Sequence, residues 1–264
     1  MRLTLIPLVL VCLVNYSFGQ EKQEILTAIK DQVQIIDSYI EFEVFSLEPE
    51  EFLDRMADHG AELNGHYEHE RLKKIIRKVG HPTADIITTF YFWNDDLILV
   101  NYEHRPYFEK TADNGQKVYD YSTTYVKYES KHFFNQGKEI EKETMGQPLE
   151  DVKADKNFVD YAKKMKALLD NKYYNKDLYK ALQGKWLFIH GTDDYIVFDG
   201  TIRFNFYGGK FRNRLKTKIE DGVMTCWIPM DKRIYRYKID NVNDEVLTLV
   251  DLFTNEELVY AKIE

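Results

Sequence analysis

Apolar and polar positions recur along this chain with two different periods. Ile25, Ile29, Val33, Ile36 and Ile40 fall at spacings of four and three. That arrangement puts them in one stripe of an α-helix over residues 21–38. A short second helix is predicted in PEEFLDRMADHG: Pro49 opens it, acidic residues fill its first turn and Gly60 stops it. From Ala61 the period falls to two. Segments 61–69, 71–80, 84–95, 96–107 and 117–143 are rich in β-branched and aromatic residues. They are broken by the turn-forming sets His81-Pro82, Asn94-Asp95-Asp96, Asn114-Gly115 and Gln136-Gly137. Links this short predict an antiparallel meander, with the first helix over its apolar face. YFWNDDL at Tyr91 and HFFNQGK at His132 share two aromatics, an Asn and a turn, and read as two hairpins of that sheet.

Residues 149–181 form a helical bridge, because Phe158, Ala162, Met165 and Leu169 return to helical spacing. The polar stretch LEDVKADKN before them marks a domain boundary, and KYYNKDLYKAL holds a second short helix. After Gly184 eight short strands are predicted: 185–190, 195–198, 201–206, 211–219, 223–228, 233–239, 246–251 and 258–263. Asp199-Gly200, Gly208-Gly209, Asp221-Gly222, Pro229-Met230-Asp231 and similar sets separate them. Alternation is visible in Ile202/Phe204/Phe206 against Arg203/Asn205, and in Tyr235/Tyr237/Ile239 against Arg236/Lys238. Eight antiparallel strands can close into an up-and-down barrel and leave no free edge. The expected fold class is α+β: an N-terminal helix packed on an antiparallel β-meander (20–148), a helical bridge (149–181) and a small C-terminal β-barrel (182–264).

The first nineteen residues stand apart. Arg2 precedes an apolar run from Leu3 to Val14, and Ser17 and Gly19 supply small residues before Gln20. This is the pattern of a secretory signal peptide, too short to span a bilayer. Secretion, a periplasmic location or attachment in the cell envelope is therefore expected, with no membrane span. The chain has 36 Lys and Arg against 44 Asp and Glu; without Arg2 the balance is 35 against 44, or −9. The signs are interspersed and form no basic stripe, so no nucleic-acid partner is expected. With Cys12 in the leader, Cys226 is the one cysteine left, and packed cores rather than disulfides must carry stability.

Gly184-Lys185-Trp186, inside LQGKW, follows a helical lead-in and opens the run of strands. Glycine lets the backbone pass close to a barrel floor, and the indole plugs it. Together with IRFNFYGGKF, YRYKIDNVNDEVLTLVD and ELVYAKI, this segment resembles the small lipocalin-like domains of secreted bacterial proteins. The resemblance covers the last third of the chain. It implies a barrel floored by Trp186, with Lys262 where lipocalins place an arginine on that ring. HGAELNGHYEHERLKKIIRKVG, TTFYFWNDDLILVNYEHRPY and KHFFNQGKEI are similar to sheet-forming segments of uncharacterised secreted bacterial proteins, which implies a setting and no activity.

Chemistry is sparse. His66, Glu68, His69 and Glu70 cluster in GHYEHER, but on a strand His66 and Glu68 share a face that His69 does not. Their spacing matches no zinc motif, so a solvated hairpin is expected and no metal. Asp193, Asp194 and Asp199 lack the alternation of a calcium loop and read as turn residues. Cys226, between bulky apolar neighbours, reads as a buried thiol. There is no nucleophile elbow and no phosphate loop, hence no catalytic residue and no cofactor. Trp186, Phe204, Trp227, Tyr235 and Tyr237 are the residues expected to line the barrel. If they leave a cavity, the protein binds a small hydrophobic ligand there. If they fill it, the protein is a structural or protein-interaction module acting through a surface, such as the tyrosine-rich strands from Tyr119 to Phe134, on an envelope partner.

Overall fold

The computed structural model describes residues 6–150, 152, 157–228, 231 and 233–263, with side chains from residue 20 onward apart from Lys117. In chain order its elements are α1 (Ile6–Ser38), β1 (Glu43–Leu47), α2 (Pro49–Phe52), β2 (Ala61–Glu68), β3 (Arg71–His81), β4 (Ala84–Trp93), β5 (Asp96–Thr111), β6 (Lys117–Thr124), β7 (Tyr128–Asn135) and β8 (Lys138–Gly146). There follow α3 (Phe158–Tyr174), α4 (Lys176–Leu182), β9 (Gly184–Phe188), β10 (Tyr195–Asp199), β11 (Ile202–Tyr207), β12 (Lys210–Glu220), β13 (Val223–Trp227), β14 (Ile234–Val242), β15 (Val246–Asp251) and β16 (Glu257–Lys262). The chain divides into two compact units, Met1–Val44 with Asn64–Lys163, and Phe45–Leu63 with Lys164–Glu264. The predicted α+β class is what is found. Residues 151 and 153–156 of the boundary stretch, 229–230 of one turn and 1–5 of the leader lie outside the described residues.

The first unit is a helix on a sheet. Its strand order is β2-β3-β4-β5-β7-β8, and β6 pairs with the far half of β5. Strand β1 had no signal in the sequence; five residues are too few to show a period. Two-residue turns close the hairpins at His69-Glu70, Asn94-Asp95 and Gln136-Gly137, all with positive φ, the mirror-image turns that match strand twist. The last two are the hairpins β4–β5 and β7–β8 that the paired aromatic-Asn motifs predict.

Tyr91, Leu99 and Phe133 lie opposite one another on β4, β5 and β7. Leu26, Ile29 and Ile36 of α1 bury against them, with Ile25 and Val33 partly covered. The stripe is thus the predicted one with Leu26 added and without Ile40, which lies beyond the helix end, exposed. The helix also begins at Ile6 rather than 21; after Pro7 it holds no further proline and one glycine, Gly19, at a cost of about 1 kcal/mol. Lys22–Glu141 (2.7 Å) and Lys30–Glu143 (2.9 Å) border the contact, and the Tyr91 hydroxyl donates to Asp37 at 3.1 Å. On the sheet's other face Phe158 packs on His132 and Tyr102, and Tyr161 lies near Phe90.

The second unit is a closed eight-stranded antiparallel barrel, in order β10-β11-β12-β13-β14-β15-β16-β9. All eight predicted strands are present, with ends displaced by at most three residues. Helix α4 closes one end. Asn171 donates to the Ile219 carbonyl (2.6 Å) and the Tyr179 hydroxyl to Asn171 Oδ1 (2.9 Å). Segment 45–63 belongs to this unit. Glu51 of α2, buried, accepts from Lys172 Nζ (2.8 and 2.9 Å), from the Thr201 amide (2.7 Å) and from the Glu48 amide (2.7 Å). Lys216, on the barrel's outer face, donates to the Leu53 carbonyl at 3.0 Å.

Candidate functional site: the barrel interior

Alternation along a strand and register between strands decide what enters the barrel. Gly184 has φ +108°, a conformation that favours glycine, and it sets Trp186 inward. The indole is 0 % exposed. Its Nε1–H donates to the Leu182 carbonyl at the end of α4 (2.7 Å), and Lys262 Nζ, on the facing residue of β16, lies 5.0 Å from the ring centre. A cation above an indole face is attracted by the ring quadrupole. Around Trp186 the side chains of Leu182, Ile196, Phe198, Leu215, Ile219, Met224, Cys226, Tyr237, Leu247, Leu249 and Tyr260 form one buried cluster.

Of the five residues predicted to line the barrel, three lie on this side. Trp186 and Tyr237 are in the cluster, and Tyr235 packs on it while partly exposed. Phe204 and Trp227 are placed elsewhere, and the expectation is corrected for both. Trp227 follows Cys226, and neighbours on a strand face opposite ways; Cys226, paired with Tyr235, takes the inner place. Trp227 sits outside, beside Lys216, Leu168 and Leu47, at a cleft of about 20 Å³. Phe204 stands between Val197 and Arg214 on the outer face, because its neighbour Arg203 lies in register with the inward Phe198 and Leu215.

The predicted polarity of β11 is therefore reversed: Arg203 and Asn205 point in, Phe204 and Phe206 out. Arg203 is 4 % exposed. Its guanidinium lies 4.9 Å from the Tyr237 ring centre, and its Nε donates to Asn205 Oδ1 at 2.8 Å. Asn205 Nδ2 donates in turn to Asn213 Oδ1 at 2.7 Å. Burial pushes the Cys226 thiol up to about 11 and the Tyr237 hydroxyl up to about 12, and raises Tyr260, so all three are neutral at pH 7. No signal within β11 marks Arg203; only the register with β10 and β12 turns it inward.

Three clefts of this unit lie around 49–60 with Arg214 (about 340 Å³), around α4 with Phe45 (about 380 Å³) and at Ile234–Arg236 with Asp251–Phe253 (about 450 Å³). Tyr235 touches the last; Trp186, Arg203 and Tyr237 line none of the three.

The other candidate groups form no reactive cluster. His66 shares a face with Glu68, stacks edge-on against Phe42 and is held below its ordinary value by burial and then by Lys74. Glu68 pairs with Lys73 at 3.2 Å, and His69 sits in the turn. Asp194 Oδ1 accepts from the Gly208 amide (2.7 Å), and Asp193 has φ +59° in its turn. No group of three or more His, Cys, Asp or Glu able to hold a metal occurs among the described residues. Among them, too, no helix is long and apolar enough to cross a membrane.

No protein-family model matches the chain, and neither a curated protein nor a solved structure matches it significantly.

Proposed function

We propose that this chain is a non-enzymatic protein of the cell envelope or exterior that serves as an interaction module, its lipocalin-like barrel being a packed scaffold. One observation carries the reading: the inward apolar side chains from Trp186 to Tyr260 form one buried cluster. In a barrel of eight strands the side chains suffice to fill the interior. Function then falls to surfaces. The β5–β6 hairpin exposes Phe108, Val118 and Tyr121, and Tyr125 just after it is exposed too, with Phe108 on Tyr125 at 5.0 Å and Tyr107 on Tyr121 at 4.9 Å. Phe133 and Phe134, in the same aromatic-rich stretch, are core residues and offer no such surface. Aromatics held rigidly at a surface are the usual anchors of protein interfaces.

The test is crosslinking of the protein in its own host, followed by native mass spectrometry of the purified chain. The expected result is a protein partner captured by the native chain and lost with Tyr121→Ser/Tyr125→Ser, and no small co-purifying mass. A co-purified apolar compound would instead favour a ligand held by Trp186, Tyr235 and Tyr237. The proposed location has its own check: the protein recovered outside the cytoplasm should begin at Gln20.

A further inference from the structure

The barrel holds a formal positive charge that its own side chains leave unbalanced. Arg203 is buried, and the polar groups near it are Asn205, Tyr207, Tyr237, Tyr260 and Cys226. None of these is a carboxylate, and no carboxylate among the described residues pairs with it. Its Nη1 is buried with no hydrogen-bond acceptor. Buried arginines are normally paired, because a lone charge in an apolar interior is costly. A guanidinium is also a rigid fork of five donors and never an acceptor, so what satisfies Nη1 must bring lone pairs, and what balances it must bring negative charge.

We propose that Arg203 anchors a buried anion site inside the barrel, for a monoanion of halide, nitrate or formate size. The size follows from the packing: Phe198 and Leu215 flank Arg203 in register, and both belong to the buried cluster. Access follows from the polar column Arg203–Asn205–Asn213. Asn205 is buried and Asn213 half-exposed, and Asn213 lies toward the opposite end of β12 from Thr217 and Ile219, where α4 docks. The Tyr237 and Tyr260 hydroxyls, neutral at pH 7, are additional donors beside the guanidinium. The site shares the barrel with the apolar cluster on which the interaction reading rests, but its test reads the anion and not a protein partner, so the two can fail separately.

The decisive experiment is anomalous diffraction from crystals of the native protein soaked in sodium bromide. A bromide peak in contact with Arg203 Nη1 is expected; an ordered water at that place, or an adventitious ion elsewhere only, overturns the proposal. In solution, unfolding followed by indole fluorescence should rise by about 5 °C on going from sodium sulfate to sodium chloride, bromide, nitrate or formate at matched ionic strength. Arg203→Met should abolish the difference between anions, and Arg203→Lys should retain part of it. Equal midpoints in all salts for the native protein would also overturn it. If Arg203→Met does not fold, the bromide map and the native salt series decide the matter alone.

Discussion

At the scale of single residues, two side chains organise the C-terminal unit. Trp186 joins α4 to the barrel: it fills the interior, donates to Leu182 and carries Lys262 on its face. Trp186→Ala should cost about 3–5 kcal/mol in denaturant unfolding, whereas Lys262→Met should cost less than about 2 kcal/mol, because only the cation–ring attraction is lost. Glu51 is the second. It gathers Lys172 and two backbone amides at one buried carboxylate. Removing one partner of such a pair leaves the other charge uncompensated, so Glu51→Gln should destabilise by about 3–5 kcal/mol, and Glu51→Gln/Lys172→Met should recover part of it. Full additivity of the two single substitutions would show that the pair is not coupled.

Elements add what residues cannot decide alone. Gly146, ending β8, has φ +76°, and a Cβ there would lie 2.0 Å from the Lys127 carbonyl oxygen. Gly137 has nearly the same φ, +74°, in open space. Gly146→Ala should therefore lower stability by at least about 2 kcal/mol, and Gly137→Ala by about 1 kcal/mol; similar losses would mean that strain of the backbone, not the close approach, governs both. The strands show how far a pattern can be read. In β14, alternation puts Tyr235 and Tyr237 on the inner side as predicted. In β11 both faces carry apolar residues or long stems that can be buried, and the same rule chose the wrong face. Burial of an arginine looks improbable from composition, yet its stem packs like a hydrophobe and its head finds Tyr237 and Asn205.

For the whole molecule, pH separates contributions that structure alone does not. His66 and His132 belong to the N-terminal unit, and both are held below the ordinary histidine value chiefly by burial. Glu139, 3.3 Å from His132, opposes this in part. Folded chains then bind fewer protons than unfolded ones as pH falls through about 6.5, so this stability is complete above that value and declines below it. Denaturant midpoints of the N-terminal unit should fall between pH 7.5 and 5, and His66→Gln/His132→Gln should flatten the profile. A midpoint that rises on acidification would refute the assignment of neutral rings at His66, half-buried, and His132, buried.

What the amino-acid order determined by itself was periodic and local. The helix stripe of α1, the hairpins after Ala61 except the break between β6 and β7, the eight strands after Gly184 and most of the turns between them follow from spacing and turn-forming residues. So does the indole at the barrel floor, since a glycine, a tryptophan and a succession of short strands occur within one segment. The tertiary structure decided whatever depends on partners distant in the chain. Segment 45–63 joins the C-terminal unit through Glu51, 150 residues from Thr201. Strand β11 turns Arg203 inward because Phe198 and Leu215 flank it in register. Trp227 is excluded because Cys226 takes the inner place. Period tells which residues share a face; only the neighbours across the sheet tell which face is the inside.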